Sequence, residues 1–210
     1  MIVEQVVCGP ISVNSYVVFN HQDGDCLVVD PGDADAVERF LTANGLNCTD
    51  ILLTHGHFDH ILGAKGIQDR YRSRIHIHPE DAVMLSSSKD CFADYFGFHY
   101  EPVDDFDTID KDNLTVIGLQ IEVQHTPGHS PGSVIYTFKD ENVAFCGDTI
   151  FYHGFGRYDL PGGSYRNISA SIKRFLKEAD PETTLYTGHG IPTTVKEEQR
   201  SNLIFSEVYY

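Results

Sequence analysis

The sequence Thr-His-Gly-His-Phe-Asp-His at residues 54–60 places three histidines and an aspartate within seven positions, directly after an apolar run typical of a buried strand. His55 and His57 are two residues apart, so both imidazoles can point to the same side of an extended strand end. Asp59 and His60 can turn back toward them where the next helix begins. These side-chain types bind metal ions, and their spacing favours a metal site over a turn that merely contains histidines.

Three more candidate ligands occur later in the chain in a shared context. Each follows a strand-like run and lies beside glycine; they are His129, Asp148 and His189. Glycine allows positive φ angles and close backbone approach, which a crowded site at strand ends requires. Any one of the three alone would more often be an ordinary loop residue, but together with the first motif they predict a metal centre.

Composition and net charge limit the classes of protein and of binding partner that this sequence is compatible with. A chain of 210 residues with 41% hydrophobic residues can bury one core, so we predict a single domain over residues 1–210. Its net charge of −16 would repel phosphates and anionic lipid headgroups, which disfavours nucleic-acid and membrane partners and favours a small-molecule substrate. The first residues lack the basic character of a secretory signal and no apolar run reaches membrane-spanning length, so we expect a cytoplasmic protein with reduced, buried cysteines.

Strand-like and helix-like segments alternate along the chain. Apolar residues at helical spacing predict helices within 36–41, 61–71 and 164–178, the last with Ser164 as its N-cap. An Asp-Gly turn is expected at residues 21–24. Strands are predicted at 2–7, 15–19, 26–29, 51–53, 74–78, 114–117, 119–124, 134–138, 143–145 and 184–186. This pattern is typical of an α/β layered fold without an internal linker.

The order of the motifs is similar to that of a known family. The pattern His-x-His-x-Asp-His at 55–60, followed by His129, Asp148 and His189, resembles the metallo-beta-lactamase-fold hydrolases, and Val-Asp-Pro-Gly at 29–32 looks like their first motif. The resemblance covers the whole chain. It implies a four-layer αββα sandwich, in which two mixed sheets lie face to face and are flanked by helices, with a binuclear metal site at the sheet edge.

Two later segments of the sequence indicate one subgroup within this family. Residues 147–164 and 188–194 look most like the short glyoxalase II-type proteins, which are hydroxyacylglutathione hydrolases. Only 21 residues follow His189, so we expect no C-terminal helical glutathione-binding domain. Arg157 stands where that family has a basic residue near the substrate and could pair with a carboxylate of glutathione, although it could equally be a solvated loop arginine.

The resemblance also implies how the ligands divide. One metal ion would be held by His55, His57 and His129, the other by Asp59, His60 and His189, and both by the bridging Asp148. Nitrogen and oxygen ligands of this kind suit zinc and also accept iron or manganese. Asp30 would hydrogen-bond a ligand histidine or the motif backbone, unless it is a plain turn aspartate.

A mechanism follows from the charge of such a site. Two divalent ions can share a water and lower its pKa from 15.7 toward about 7. We expect this bridging hydroxide, oriented partly by Asp59, to attack a thioester carbonyl, so that Asp59 and Asp148 both take part in catalysis. The expected enzyme is a thioester hydrolase that needs no serine or cysteine nucleophile.

Several alternatives stay open at this point. A mononuclear-iron persulfide dioxygenase would share much of the ligand set, and a metal-storing or partner-binding module would have no open ligand position. A β-lactamase is disfavoured by the absence of an export signal and by the glyoxalase-like Leu-Pro-Gly-Gly at 160–163, and a nuclease by the acidic charge. The aromatic segment 91–106 could pack, wall the pocket or form a subunit contact, and packing is favoured. A homo-oligomer is compatible with the sequence, which specifies neither the acyl group nor the thiol.

Overall fold

The computed structural model describes residues 1–20, 24–109 and 112–206, so residues 21–23 of the expected Asp-Gly turn lie outside the described residues. Most strands belong to two six-stranded sheets. The first sheet contains, in chain and spatial order, β1 (Ile2–Cys8), β2 (Val13–Phe19), β3 (Asp25–Val29), β4 (Asn47–Leu52), β5 (Arg74–Ile77) and β6 (Asp107–Thr108). Its first three strands pair antiparallel and the others parallel, so the sheet is mixed.

The second sheet is mixed as well. Its strands are β7 (Asn113–Val116), β8 (Leu119–His125), β9 (Val134–Phe138), β10 (Val143–Gly147), β13 (Thr184–Thr187) and β14 (Thr193–Thr194). Strands β11 (Ile150–Phe151) and β12 (Gly154–Phe155) form a separate hairpin. The spatial order of this sheet is β14-β13-β10-β9-β8-β7. Of the described pairs within it, β10–β13 is parallel and the others are antiparallel.

The helices lie in the connections between these strands. They are α1 (Ala34–Asn44), α2 (Phe58–Ile61), α3 (Ala64–Tyr71), α4 (Ala82–Leu85), α5 (Ala93–Phe96), α6 (Tyr165–Glu178) and α7 (Val195–Ser201). Short 3-10 turns occur at Pro79–Asp81, Lys139–Glu141 and Leu203–Phe205. The predicted N-cap of α6 is confirmed, because the Ser164 side chain accepts a hydrogen bond from the amide of Asn167. None of the described helices is long and apolar enough to cross a membrane.

The first sheet is apolar on both faces. Side chains alternate along a strand, so neighbouring residues of β2 point in opposite directions. Val17 packs in a cluster with Val37 of α1 and Ile67 of α3, whereas Tyr16 and Val18 face the second sheet. Helices therefore cover one face of this sheet, and the second sheet covers the other.

The second sheet repeats this two-sided pattern. Tyr136 of β9 and Phe145 of β10 pack in the cluster between the sheets. Their neighbours Ile135 and Ala144 face Ile168 of α6 in a third cluster. Three apolar clusters thus separate four layers, and the predicted αββα sandwich of two mixed sheets flanked by helices is confirmed. That residues 1–210 form one domain stays a prediction.

The helix predicted over 61–71 is confirmed from Ala64 to Tyr71 as α3, but Ile61 is the last residue of the separate helix α2. The chain turns at Gly63, whose amide donates to the carbonyl of Pro31 at 2.7 Å. A Cβ at residue 63 would lie 2.7 Å from that same carbonyl oxygen. This close approach brings the loop after β3 against the start of the helical segment, and periodicity alone could not reveal it.

Two buried tyrosines connect the sheets next to the loops that carry the histidine motifs. The hydroxyl of Tyr136 donates to the carbonyl of Leu53 at 2.8 Å, and the hydroxyl of Tyr16 donates to the carbonyl of Thr187 at 2.7 Å. Leu53 directly precedes residues 54–60, and Thr187 lies two residues before His189. Each tyrosine therefore fixes the position of one motif relative to the opposite sheet.

We predict that Tyr136→Phe lowers the free energy of unfolding by about 1–3 kcal/mol, because the buried carbonyl of Leu53 loses its donor. Urea denaturation of both proteins measures the difference. Tyr95→Phe is the matched control, since Tyr95 is 79% exposed. Loss of its hydroxyl should change the free energy of unfolding by less than about 0.5 kcal/mol. Equal denaturation midpoints for Tyr136→Phe and the wild type would contradict the bridging role.

Candidate metal centre

The seven residues singled out by the sequence meet at one edge of the sandwich. His55 and His57 follow β4, and the next two, Asp59 and His60, lie in α2. The remaining three follow the C-terminal ends of strands in the second sheet: His129 after β8, Asp148 after β10 and His189 after β13. Strand ends from both sheets thus deliver side chains to one place, although the residues span much of the chain.

Three imidazoles form one half of the centre. The Nε2 atom of His129 lies 2.9 Å from Nδ1 of His57 and 3.2 Å from Nε2 of His55. All three side chains are buried. One ligand atom from each lies within 4.8 Å of the others, so the three could hold a metal ion together.

A second group forms the other half. The Oδ2 atom of Asp59 lies 3.3 Å from Nε2 of His60 and 3.1 Å from Nε2 of His189. These three residues could also hold an ion. Asp148 lies between the two groups, because its Oδ1 is 3.2 Å from His60 Nε2 and its Oδ2 is 3.6 Å from His129 Nε2.

Hydrogen bonds at the outer edge of the centre fix the tautomers of the imidazoles. Nδ1 of His129 contacts the carbonyl of Arg157 at 2.8 Å, and Nδ1 of His189 contacts the carbonyl of Ser12 at 3.3 Å. A carbonyl can only accept, so each Nδ1 carries the proton. In the neutral ring, Nε2 is then an unprotonated lone pair that points into the centre.

The same reasoning applies to His60 and His55. Nδ1 of His60 donates to Oδ2 of Asp30 at 2.9 Å. The hydroxyl of Thr54 donates to the same carboxylate at 2.6 Å, so its oxygen is free to accept from Nδ1 of His55 at 3.1 Å. When these rings are neutral, the Nε2 lone pairs of His60, His129 and His189 therefore point toward the carboxylates of Asp59 and Asp148. Nε2 of His55 lies beside them, 3.2 Å from Nε2 of His129.

This donor set fits metal cations. Lone pairs and carboxylate oxygens at about 3 Å repel one another unless a positive charge lies between them. Nε2 of His60 and Oδ1 of Asp148 are buried and make no hydrogen bond to any described residue. A divalent ion would satisfy both atoms and match the nitrogen and oxygen ligands that such ions take in proteins.

The pKa shifts of His60 and Asp59 also show that this part of the centre favours positive charge. Burial lowers the pKa of His60, but the carboxylates of Asp59, Asp148 and Asp30 outweigh it and hold that pKa well above its usual value. For Asp59, burial raises the pKa, but His60 and His189 outweigh it and the net shift is downward. The carboxylate side of the centre therefore attracts a proton or a metal ion strongly.

The histidine side behaves in the opposite way. Burial, followed by the neighbouring His129, lowers the pKa of His57 to about 3. Burial and four neighbouring imidazoles hold the pKa of His55 well below its usual value. These two rings are therefore neutral at physiological pH, which is the form that binds a metal.

Asp30 lies directly behind the centre and has a strained backbone, with φ of +50°. Its carboxylate accepts from the amide and the hydroxyl of Thr54 as well as from His60. Asp30, His55 and His60 also come within 4.8 Å of one another. Since both carboxylate oxygens already accept hydrogen bonds from the protein, the contacts of Asp30 orient His60 and the start of the 54–60 motif.

Asp81 is a buried carboxylate that the sequence reasoning missed. Its oxygens accept hydrogen bonds from the amides of Gly56 and Gly132 at 3.0 and 2.6 Å and from the hydroxyl of Ser130 at 2.6 Å. It therefore joins the loop between His55 and His57 to the loop that carries His129. No local pattern around residues 78–81 could indicate this role, because all three donors are distant in sequence.

Glycine is required next to His189. A Cβ at Gly188 would lie 2.1 Å from Oδ1 of Asp148, a distance that no side chain permits. The glycine predicted to allow close approach at this strand end therefore does so.

The centre opens to solvent through a small mouth with a cavity of about 80 Å³. Five apolar side chains line it: Ile11, Phe58, Phe92, Phe96 and Leu160. The Phe92 ring lies 5.2 Å from that of His57, and the Phe58 ring stacks on those of Phe96 and Phe98. Part of the aromatic segment 91–106 thus packs in the core, and part walls the mouth.

Arg157 also lines the mouth, but its guanidinium is exposed and already bound by a carboxylate. Nε and Nη2 of Arg157 donate to the two oxygens of Asp159 at 2.8 and 2.9 Å. Outside the centre, His76 contacts Asp50 at 2.8 Å and His78 stacks on His125.

Comparison with known proteins gives one family. The family model described as the metallo-beta-lactamase superfamily matches residues 8–189. The chain is 32% identical to the hydroxyacylglutathione hydrolase GloC of Haemophilus influenzae over 180 residues, which cover 83% of this chain and 84% of the relative.

Two solved structures are similar over almost the whole chain. The BLEG-1 B3 metallo-beta-lactamase has a TM-score of 0.90 and 33% identity, covering 98% of this chain and 100% of that one. TTHA1623 in a di-iron-bound form has a TM-score of 0.85 and 32% identity, covering 95% of this chain and 98% of that one.

We predict that Asp81→Asn weakens metal binding by about 10- to 100-fold, because an amide nitrogen would face donors that now meet a carboxylate oxygen. Calorimetric titration of metal-free protein with Zn²⁺ measures the change. Asp50→Asn is the matched control, since it removes a buried carboxylate that contacts His76 instead. Equal affinities for the Asp81 variant and the wild type would contradict this role.

We also predict that metal affinity rises with pH above about 6.5. The raised pKa values of His60 and His189 mean that the metal-free centre holds protons which a metal must displace. These protons are bound most fully below 6.5 and are lost as the pH rises through the raised values. Zn²⁺ titrations from pH 6 to 8.5 in several buffers measure affinity and proton release; a pH-independent affinity with no proton release would contradict the prediction.

Proposed function

This chain belongs to the metallo-beta-lactamase superfamily, and we propose that it is a metal-dependent hydrolase of the glyoxalase II type that cleaves S-acylglutathione-like thioesters. The observation that carries the proposal is the convergence of imidazole lone pairs and carboxylates at the end of a small apolar mouth. The likeness to GloC supports the thioester as the substrate class.

The proposed ligands are the seven residues of the centre. His55, His57 and His129 would hold one ion, Asp59, His60 and His189 would hold the other, and Asp148 would contact both. Zinc suits these nitrogen and oxygen donors, and iron and manganese are acceptable to them. The di-iron form of a similar protein makes iron a concrete alternative.

Two divalent ions would supply an acidified water near neutral pH and would stabilise negative charge on a carbonyl oxygen. Asp59 would help to orient such a water, because its Oδ2 lies at the inner end of the mouth, 3.3 Å from Nε2 of His60 and 3.1 Å from Nε2 of His189. The apolar side chains exclude bulk water from this end. Among the described residues that line the mouth there is no serine or cysteine, so water is the proposed nucleophile.

The leaving group determines what else the protein must provide. A thiolate leaves without strong acid assistance, and the mouth offers no side chain that is an obvious general acid. Cleavage of an alkyl ester or an amide would need such a group more. This difference supports thioesters over those substrates.

The test is hydrolysis of S-D-lactoylglutathione by one purified batch whose metal content is also measured. We predict turnover that depends on the metal, and we predict that His57→Ala lowers kcat/KM by at least about 100-fold. The Asp50→Asn protein is the control for a buried substitution away from the mouth. Equal turnover by the His57 variant and the wild type would overturn the mechanism.

Two further assays on the same purified protein distinguish two other activities. A mononuclear-iron persulfide dioxygenase would contain one iron and would consume oxygen with glutathione persulfide. A lactamase would hydrolyse nitrocefin efficiently, an activity suggested by the likeness to BLEG-1. Either result without thioester cleavage would replace the proposed function.

A further inference from the structure

Arg157 has two different surroundings along its length. Its backbone carbonyl accepts the hydrogen bond of His129 Nδ1 at 2.8 Å, which fixes the residue beside the metal centre. Its side chain runs along the mouth, near Leu160 and Phe96. Among the described residues that line the mouth, Arg157 is the one with a permanent positive charge.

Asp159 forms an ion pair with the guanidinium of Arg157. The two carboxylate oxygens bind Nε and Nη2 of Arg157 at 2.8 and 2.9 Å, in the bidentate geometry that suits a guanidinium and a carboxylate. The hydrogen bond from Arg157 lowers the pKa of Asp159 to about 2, so this carboxylate is ionised throughout the range in which an enzyme is assayed. The pair therefore carries no net charge.

Outside the metal centre, the described residues of the mouth offer a substrate carboxylate no positive charge other than that of Arg157. The other mouth residues outside the centre are apolar, and the whole chain has a net charge of −16. An S-acylated glutathione carries two carboxylates and one ammonium group. The cavity beside the centre is small and open to solvent, so the charged ends of such a substrate would extend outward, where Arg157 and Asp159 are exposed.

We propose that Asp159 is a specificity-determining residue: by occupying Arg157 it withholds a positive charge from the carboxylates of glutathione, and so lowers the preference of the enzyme for glutathione thioesters over thioesters of uncharged thiols. This inference rests on the proposed thioesterase function. Removing the Asp159 carboxylate frees the guanidinium for a carboxylate of glutathione and removes a repulsive charge at the same time.

The experiment compares two thioesters with the same acyl group, one of glutathione and one of the uncharged thiol N-acetylcysteamine. The metal-loaded wild type, Asp159→Asn, Arg157→Gln and the double variant are assayed with both. We expect Asp159→Asn to raise the ratio of kcat/KM for glutathione over N-acetylcysteamine by about 3- to 10-fold, mainly through KM, as one charge at an exposed and screened site allows. The double variant should lose that gain, because the freed guanidinium is absent.

Glu182→Gln is the matched control for net charge. Glu182 forms a comparable exposed pair with Lys196 at 3.1 Å, but it precedes β13, whereas His189 follows the other end of that strand. Its substitution should leave the ratio unchanged. A similar gain in Glu182→Gln would show a general charge effect and would overturn the inference.

Equilibrium binding separates this inference from the proposed function. S-methylglutathione cannot be hydrolysed, and Asp159→Asn should bind it about 3- to 10-fold more tightly than the wild type in a calorimetric titration. If no protein cleaved either thioester, the proposed function would fail while this titration still tested the specificity. Unchanged binding and an unchanged ratio in Asp159→Asn would overturn the role of Asp159.

Discussion

The fold brings imidazole nitrogens and carboxylate oxygens into close contact at one edge of the sandwich. This arrangement is stable only when a positive charge lies between them. Backbone carbonyls, Asp30 and Thr54 hold the outer nitrogens of four imidazoles. This turns the inner nitrogens of His60, His129 and His189 toward Asp59 and Asp148, with that of His55 beside His129. A core assembled solely for stability would avoid such an arrangement, because unpaired buried polar groups are destabilising. The sheets, the bridging tyrosines and the close approach at Gly188 all position loops that would otherwise separate.

Much of this centre could be predicted from the sequence, since its residues occur in short patterns with glycine beside them. The main helices and strands were also predictable, because each is long enough to show a period. Elements of two to four residues, such as β6, β14 and α5, are too short to do so. Asp81 and Asp159 could not be assigned either, because an isolated aspartate has no distinctive pattern until its partners are known.

The mouth explains how a strongly acidic protein could still act on thioesters. The reacting bond needs only a small cavity beside the centre, and apolar walls there exclude water without attracting charge. Recognition of the thiol would take place outside, where Arg157 and Asp159 are exposed and salt screens their charges. In this proposal, hydrolysis takes place at the inner end of the mouth and selection of the thiol at its outer edge. Substitutions at Asp159 can therefore change selectivity without changing the metal centre.

The central claim is that seven side chains cage a pair of cations, and anomalous diffraction from crystals of metal-loaded protein tests it most directly. The account predicts two separate anomalous peaks, one within ligand distance of His55, His57 and His129 and the other within ligand distance of Asp59, His60 and His189. Fully loaded crystals with no peak at this edge of the sandwich, or with metal bound only elsewhere, would contradict it.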